Sequence, residues 1–353
     1  MSGKNEKNFF TVLTARLTAR KRIDSSNFLL IVTIGLFIVM YLLGLIVYRS
    51  RGFGNFQTFL NMFIDNAGLL VAASGMTLVM ITGGIDISVG SVVGLVCMIL
   101  AYGMERMSIP SGIAILIVLC FGVVFGAWQG WLVSYMELQP FIVTLAGLFF
   151  CRGLTAVISA DTIAITNTAF LKLANFNVVL GYTTNRRGIR VPLFVHPNVL
   201  IALVAVIAVW YVLKFTRFGR NLFAIGGNEQ SALLMGINVK KNKFFAYMLE
   251  GFLASLAGLL FCLNTTGGFV EQARGFEMDA IASAVIGGTM LTGGVGTVVG
   301  TFFGVLIKAT IETLIRFQGT LSSWWNRIIL SMILCIFIVL QSVILILKNR
   351  SKK

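Results

Sequence analysis

Histidine, cysteine pairs and acidic side chains are scarce in this sequence, and each shortage closes off a class of function. The single histidine, His196, stands directly before Pro197. A metal centre needs several ligands, so no metal site is expected. Cys97, Cys120, Cys151, Cys262 and Cys335 all lie in apolar runs, with no C-x-x-C pair and no histidine at ligand spacing. They read as small apolar packing residues. No nucleophile–base pair is found, so no catalytic residue is assigned and a membrane-embedded enzyme is excluded. No G-x-x-x-x-G-K-[ST] run is present, so the chain does not hold ATP through a phosphate loop, and no cofactor is expected on it.

Charge is sparse as well. Only 12% of the 353 residues are charged, against about 25% in a soluble domain, which excludes a globule with a polar skin. The net charge of +15 does not point to nucleic acid, because the basic residues sit in short loops between apolar runs. That is the distribution of membrane proteins, and no soluble basic face exists to contact phosphates.

What the sequence has in quantity is apolar length. Hydrophobic residues make up 57% of it and the mean hydropathy is +0.91. They fall in runs of roughly 20, the length that crosses about 30 Å of hydrocarbon. The expected fold is an all-α polytopic membrane protein of about ten transmembrane helices. The candidate spans are 28–48, 58–81, 85–102, 110–133, 140–158, 197–215, 244–264, 279–290, 296–315 and 324–347. They form one membrane domain, 28–347, between a basic tail at 1–27 and a short tail at 348–353. The first run is longer than the core of a signal peptide and no A-x-A-like site follows it, so it is expected to be a retained span. For residues 1–27, an amphipathic helix on the anionic membrane surface and a solvated tail fit equally well.

Glycine is abundant, at 37 residues, and two of its clusters break apolar runs: Thr82-Gly-Gly-Ile-Asp-Ile-Ser-Val-Gly-Ser91 and Ile286-Gly-Gly-Thr-Met-Leu-Thr-Gly-Gly-Val-Gly-Thr297. Their tails resemble each other, Val89-Gly-Ser-Val-Val-Gly94 against Val295-Gly-Thr-Val-Val-Gly300. Helix breaks at membrane depth are tolerated only where protein or a water-filled cavity surrounds the freed backbone, and paired breaks point to a transport pathway. Gly83, Gly84, Gly287, Gly288, Gly293 and Gly294 are the expected breaks, near 82–91 and 286–297, either as interrupted or as re-entrant segments.

Orientation follows from the 28 Lys and Arg residues. With both termini in the cytoplasm, sixteen lie inside, nine outside and three within spans. The bias favours cytoplasmic ends and an even number of crossings.

The largest inside loop, about 216–243, carries its own signals. Asn228 is placed to cap a short helix beginning at Glu229 and including Ala232, and Gly236 to end it. Leu233, Leu234 and Met235 give that helix an apolar surface. It suits either a groove on a cytoplasmic partner or the lipid surface. Asp86, Ser88 and Asp279 are open to two readings: they hydrogen-bond a polar substrate in the path, or they cap the helices that follow them. Lys308 and Glu312 stand four apart on one helical face and neutralise each other. Glu250 is expected to find a hydrogen-bonding or ionic partner across helices, although a proton-coupling role is also open to it. Asn66, Thr77 and Thr144 suit helix contacts or a path lining. Phe141 and Trp128 suit stacking on the face of a ligand or packing.

Several motifs in order resemble the permease subunits of bacterial ATP-binding-cassette (ABC) importers for monosaccharides, the ribose-type group. They are Gly83-Gly-Ile-Asp-Ile-Ser-Val-Gly-Ser91, Gln139-Pro-Phe-Ile-Val-Thr-Leu-Ala-Gly147, the 217–240 loop, and Asp279-Ala-Ile-Ala-Ser-Ala-Val-Ile-Gly-Gly-Thr289. The likeness runs from about 28 to 347. Gly319-Thr-Leu-Ser-Ser-Trp-Trp325 and Phe149-Phe-Cys-Arg-Gly153 look most like the galactofuranose permease branch. The resemblance implies an importer driven by ATP on a separate ABC ATPase subunit, with Asn228, Glu229, Ala232, Leu234, Met235 and Gly236 as its docking element. It implies a substrate path through Asn66, Asp86, Ser88, Phe141 and Thr144. The other implied partners are an extracytoplasmic sugar-binding protein, a second copy or a related permease, and membrane lipid, but no nucleic acid. The competing reading is an ion-coupled secondary sugar carrier using Glu250 or Asp86.

Overall fold

The computed structural model describes residues 25–184, 190–320, 322 and 324–350. Most of the expected 1–27 tail and the end of the 348–353 tail lie outside the described residues. Thirteen α-helices are present among them: α1 (Ser25–Val47), α2 (Phe56–Ile81), α3 (Val89–Glu105), α4 (Ser111–Ser134), α5 (Pro140–Ile158), α6 (Thr168–Ala174), α7 (Pro197–Phe215), α8 (Arg217–Gly227), α9 (Glu229–Leu234), α10 (Val239–Thr265), α11 (Phe276–Ile286), α12 (Val298–Gln318) and α13 (Trp324–Arg350). Seven of these are long and apolar enough to cross a membrane: α1, α2, α4, α5, α7, α10 and α12. The helices α3 and α13 give shorter apolar stretches, Val89–Glu105 and Trp324–Leu340. With 11 residues, α11 rises only about 16 Å and does not cross alone.

The two spans that start at Pro140 and Pro197 begin where the sequence placed them, because proline at the first helical position costs no hydrogen bond and presets φ. Both glycine clusters are non-helical, over 82–88 and 287–297. To the helices the structure adds two small sheets. Strand β1 (Ile163–Ala164) pairs antiparallel with β4 (Gly267–Gly268). Between the expected spans at 140–158 and 197–215, β2 (Val178–Thr184) and β3 (Arg190–Val195) form an antiparallel hairpin. Its base is held by α2, since the Gln57 side chain donates to the Phe194 carbonyl at 3.1 Å and accepts from the Phe194 amide at 3.0 Å. The start of α6 is held by α3, where the Glu105 carboxylate accepts from the amides of Thr166 and Asn167 at 2.7 and 2.9 Å.

The core is centred on α2 and α10, buried over most of their length, with α3, α4 and α12 packed around them. Lipid tails are as apolar as leucine, so helices in a membrane associate through close packing of small residues. The contact of α4 with α10 is such a seam. A Cβ added at Gly126 would come 2.5 Å from the Tyr247 carbonyl oxygen and 2.9 Å from the Gly251 Cα. One at Gly130 would come 2.7 Å from the Phe244 carbonyl oxygen. Gly122, one turn earlier, faces Ser255 and the Gly251 carbonyl. The outward faces carry lipid-type residues such as Leu116, Val124, Phe149 and Val204.

The seam yields a stability test. Gly126→Leu should destabilise the detergent-solubilised chain by about 1–3 kcal/mol through overpacking. Gly35→Leu, where nothing lies within 4 Å, should leave the melting temperature unchanged. Equal thermal unfolding of both variants would remove the seam's role.

Candidate functional site

The 216–243 loop is a braced platform with an apolar crown. Thr216 opens α8 by accepting the Gly219 amide on its hydroxyl at 3.2 Å. Asn228 caps α9 as expected, its Oδ1 accepting from the Ser231 amide at 2.8 Å. Gly236, at φ +79°, ends the turn in the left-handed region that favours glycine. Asn238 caps α10 by accepting the Lys241 amide at 2.9 Å. Two ion pairs brace the platform: Glu229 with Lys243 at 2.7 Å, and Lys240 with Glu137 at 2.8 Å. The second ties the loop to the turn between α4 and α5, and the adjacent ammonium holds the Glu137 carboxyl below the usual carboxylate range. Leu233, Leu234 and Met235 face outward, with Leu234 86% exposed. Ala232 departs from its expected role. It is fully buried with Ile225 and Val239 beneath the crown, so it anchors the platform and presents nothing to a partner.

Beneath that platform three pieces of backbone meet. The Ile81 carbonyl at the end of α2 accepts the Gly294 amide at 2.9 Å, which joins the two helix breaks directly. Gly226, in the last turn of α8, lies so close that a Cβ there would overlap the Ile81 carbonyl oxygen. A Cβ on Gly294 would fall 2.9 Å from the Gly227 Cα, and one on Gly293 would fall 2.8 Å from the Gly83 nitrogen. Gly83, Gly288, Gly293 and Gly294 all take positive φ, whereas Gly287 keeps helical φ. The 216–243 loop therefore touches both breaks, backbone to backbone. A cavity of about 360 Å³ opens beside this junction, lined by Thr82, Gly84, Asn228, Glu229, Lys243 and Tyr247 among others.

The residues expected along a polar path separate into two groups. Asp86, Ser88 and Thr144 come together, each buried. Asp86 Oδ1 accepts from both the amide and the hydroxyl of Ser88, at 2.7 and 2.6 Å. The Thr144 hydroxyl donates to carbonyls of its own helix and lies 3.3 Å from the Ile85 carbonyl. Ser88 stands at the helix N-cap position, yet no side chain there caps α3. Asp86 thus closes a local turn rather than capping α3. Sequence reasoning missed Gln129, whose Nε2 donates to the Ser88 hydroxyl at 3.0 Å. A lone amide within the run around Trp128 and Gly130 was the available signal. Phe141 turns outward, 53% exposed, and Trp128 is 43% exposed.

Asn66 belongs elsewhere. It sits at a kink in α2, with φ −113° and ψ 15°, and its Oδ1 accepts from Lys308 at 3.2 Å. Lys308 pairs with Glu312 at 2.6 Å, as its spacing required, and also with Asp279 at 3.6 Å. Asp279 lies inside the first turn of α11 and serves this pair rather than a cap. The expected partner of Glu250 is not found among the described residues. Neither of its carboxylate oxygens has a hydrogen-bond partner, and the side chain packs against Gly75. No group of three or more potential metal ligands occurs among the described residues.

The burial pattern on the platform gives a direct test. Ala232→Glu, which buries a carboxylate without a partner, should lower the melting temperature markedly. Leu234→Glu, on the exposed crown, should change stability by no more than about 0.5 kcal/mol. Equal destabilisation would show that the crown packs within this chain.

Comparison with known proteins places this arrangement among transport proteins. Residues 58–338 match the family described as the permease component of branched-chain amino acid transport systems. The inner membrane ABC transporter permease protein YjfF of Escherichia coli is 41% identical over 317 residues, 89% of this chain and 92% of that protein. The fructose import permease protein FruG of Bifidobacterium longum is 35% identical over 81% of this chain and 82% of its own length. The ribose import permease protein RbsC of E. coli is 33% identical over 86% of this chain and 91% of its own. No solved structure matches the chain.

Proposed function

The chain belongs to the family of permease components of branched-chain amino acid transport systems, and from that membership we propose that it is the membrane-spanning subunit of an ATP-driven ABC importer for a monosaccharide. Relatives named as ribose, fructose and galactose import permeases favour a sugar as the cargo. The motifs at 149–153 and 319–325 favour one of the galactofuranose type. In this reading the sugar arrives on an extracytoplasmic binding protein, both termini lie in the cytoplasm, and a second copy or a related permease completes the pathway. The named ABC permeases speak against the ion-coupled carrier.

One observation carries the mechanism: an exposed apolar crown stands on a braced platform whose base is packed without side chains against both helix breaks. An ATPase gripping Leu233, Leu234 and Met235 moves α9. Because α9 is short, capped and ion-paired to α10, it moves as a unit with Gly226 and Gly227. Those glycines carry the displacement to Ile81, Gly83 and Gly294, where two interrupted helices meet. Backbone packed on backbone has no flexible side chain to absorb the motion. The energy that shifts the pathway between its two open states must be the difference in ATPase contact with each. Substrate contact in the path is weak in this scheme, and selection rests mainly with the binding protein.

The test begins with a pull-down of the tagged chain from its native membrane in mild detergent. A stoichiometric partner carrying a phosphate-loop ATPase is expected, and active chain without one would overturn the proposal. In reconstituted vesicles, Leu234→Glu with Met235→Glu should abolish ATPase association. Gly226→Val should retain association and ATP hydrolysis while uptake falls roughly tenfold or more. Undiminished uptake by Gly226→Val would remove the junction from the mechanism.

A further inference from the structure

At the end of the bundle opposite the coupling loop, a cavity of about 190 Å³ is lined chiefly by polar side chains. The start of α11, the second half of α12 and the start of α13 enclose it, and Arg274, Asp279, Lys308, Glu312, Asn326 and Arg327 supply its polar groups. Nothing in the coupling mechanism uses it. Its volume is the share of about six waters at roughly 30 Å³ each, the scale of a single small ring.

Its hydrogen-bonding groups are only partly spent. Lys308 is fully engaged by Glu312, Asp279 and Asn66. Each carboxylate gives one oxygen to that ammonium and keeps an acceptor over. Asn326 Oδ1 is buried and has no hydrogen-bond partner. A buried polar atom left unpaired is costly and calls for an occupant. The Arg327 guanidinium, a donor in a fixed fork, lies over the Trp324 ring at 5.2 Å from its centroid. It borders Gly275, where a Cβ would stand 3.6 Å from Arg327 Nη2.

Charge narrows the ligand. Three cations on the wall repel a metal ion or organic cation, and two carboxylates repel phosphate and carboxylate groups. A neutral molecule carrying both donors and acceptors suits open carboxylate and amide oxygens facing a guanidinium, and hydroxyl groups are both. We propose that this cavity is a monosaccharide site within the permease itself, in which the ring hydroxyls bridge Asp279, Glu312 and Asn326 to Arg327. The assignment rests on the sugar-importer reading and adds to it a place where the cargo is received on the side from which it enters. The nearness of Lys308 to the α2 kink at Asn66 puts that place in contact with the helix that ends at the junction.

The experiment uses the permease with its ATPase in lipid nanodiscs, without binding protein, titrated separately with D-ribose, D-fructose and D-galactose. Tryptophan fluorescence reports the site, since Arg327 on its wall lies over the Trp324 ring. A saturable change with at least one sugar is expected. Asn326→Leu, which removes the open acceptor without touching the Lys308 pairs, should raise the half-saturating concentration about tenfold. Arg327→Ala should do the same, and Gly35→Leu, which faces open space, should not. Folding of each variant is checked by gel filtration and by its association with the ATPase.

A signal that sodium chloride or inorganic phosphate displaces would overturn the choice of a neutral ligand. No saturable signal for a sugar that the complete system transports would overturn the site and leave the importer reading standing. Failure of the complete system to transport any monosaccharide would overturn both.

Discussion

Everything distinctive in this molecule follows from one constraint: a backbone group freed inside a membrane has no water to turn to and must be met by protein. The two helix breaks free several. The Ile81 carbonyl takes the Gly294 amide, the Ile286 carbonyl takes the Thr33 hydroxyl at 2.6 Å, and the Val79 carbonyl takes the Thr82 hydroxyl at 2.7 Å. Each repair draws two distant segments together or stiffens the break itself. The breaks are fixed in place by their own hydrogen-bond demand, and glycine is required because the partners are backbone atoms at backbone distance.

That solution also explains why the 216–243 loop lies where it does. Gly226 and Gly227 end α8 at the one place where the loop approaches α2 and the 287–297 segment together. At Gly226 an alanine has no room for its methyl group. The sequence feature that permits the contact is the absence of a side chain, and the platform above supplies rigidity through three asparagine or threonine caps and two ion pairs. The outward apolar crown then has a firm base to act upon.

The elements legible in the sequence were those set by local chemistry. Pro140 and Pro197 began their helices, Asn228 capped its own, and the glycine clusters broke their runs. Lys308 and Glu312 paired at helical spacing. What stayed hidden depended on contacts between segments far apart in the chain. Asp279 joins Lys308 across a helix pair, Asn66 is drawn to the same ammonium, and Gln129 reaches Ser88. The hairpin at 178–195 was visible in principle through its β-branched and aromatic residues, but its isolation within a long loop concealed it. Asp86 shows a different limit. An acid followed two residues later by serine fits a cap, a local turn and a ligand contact alike, and only the geometry separates them.

One helix gathers these contacts. Near its first turn α2 holds the hairpin through Gln57, and at Asn66 it bends beside Lys308. At Gly75 it lies against Glu250, and at Ile81 it enters the backbone junction. The kink at Asn66 divides it into two segments that meet at a residue whose side chain returns to the Met62 carbonyl at 3.1 Å. The lower segment is buried for its whole length, and the upper one is held as well, by the hairpin, by the Asp65–Arg316 ion pair and by Asn264, which donates to the Ile64 carbonyl at 3.3 Å. At Asn66 α2 changes direction, and the ammonium that holds its amide oxygen is also held by two carboxylates. The charge cluster at one end and the glycine junction at the other are joined by a single jointed helix.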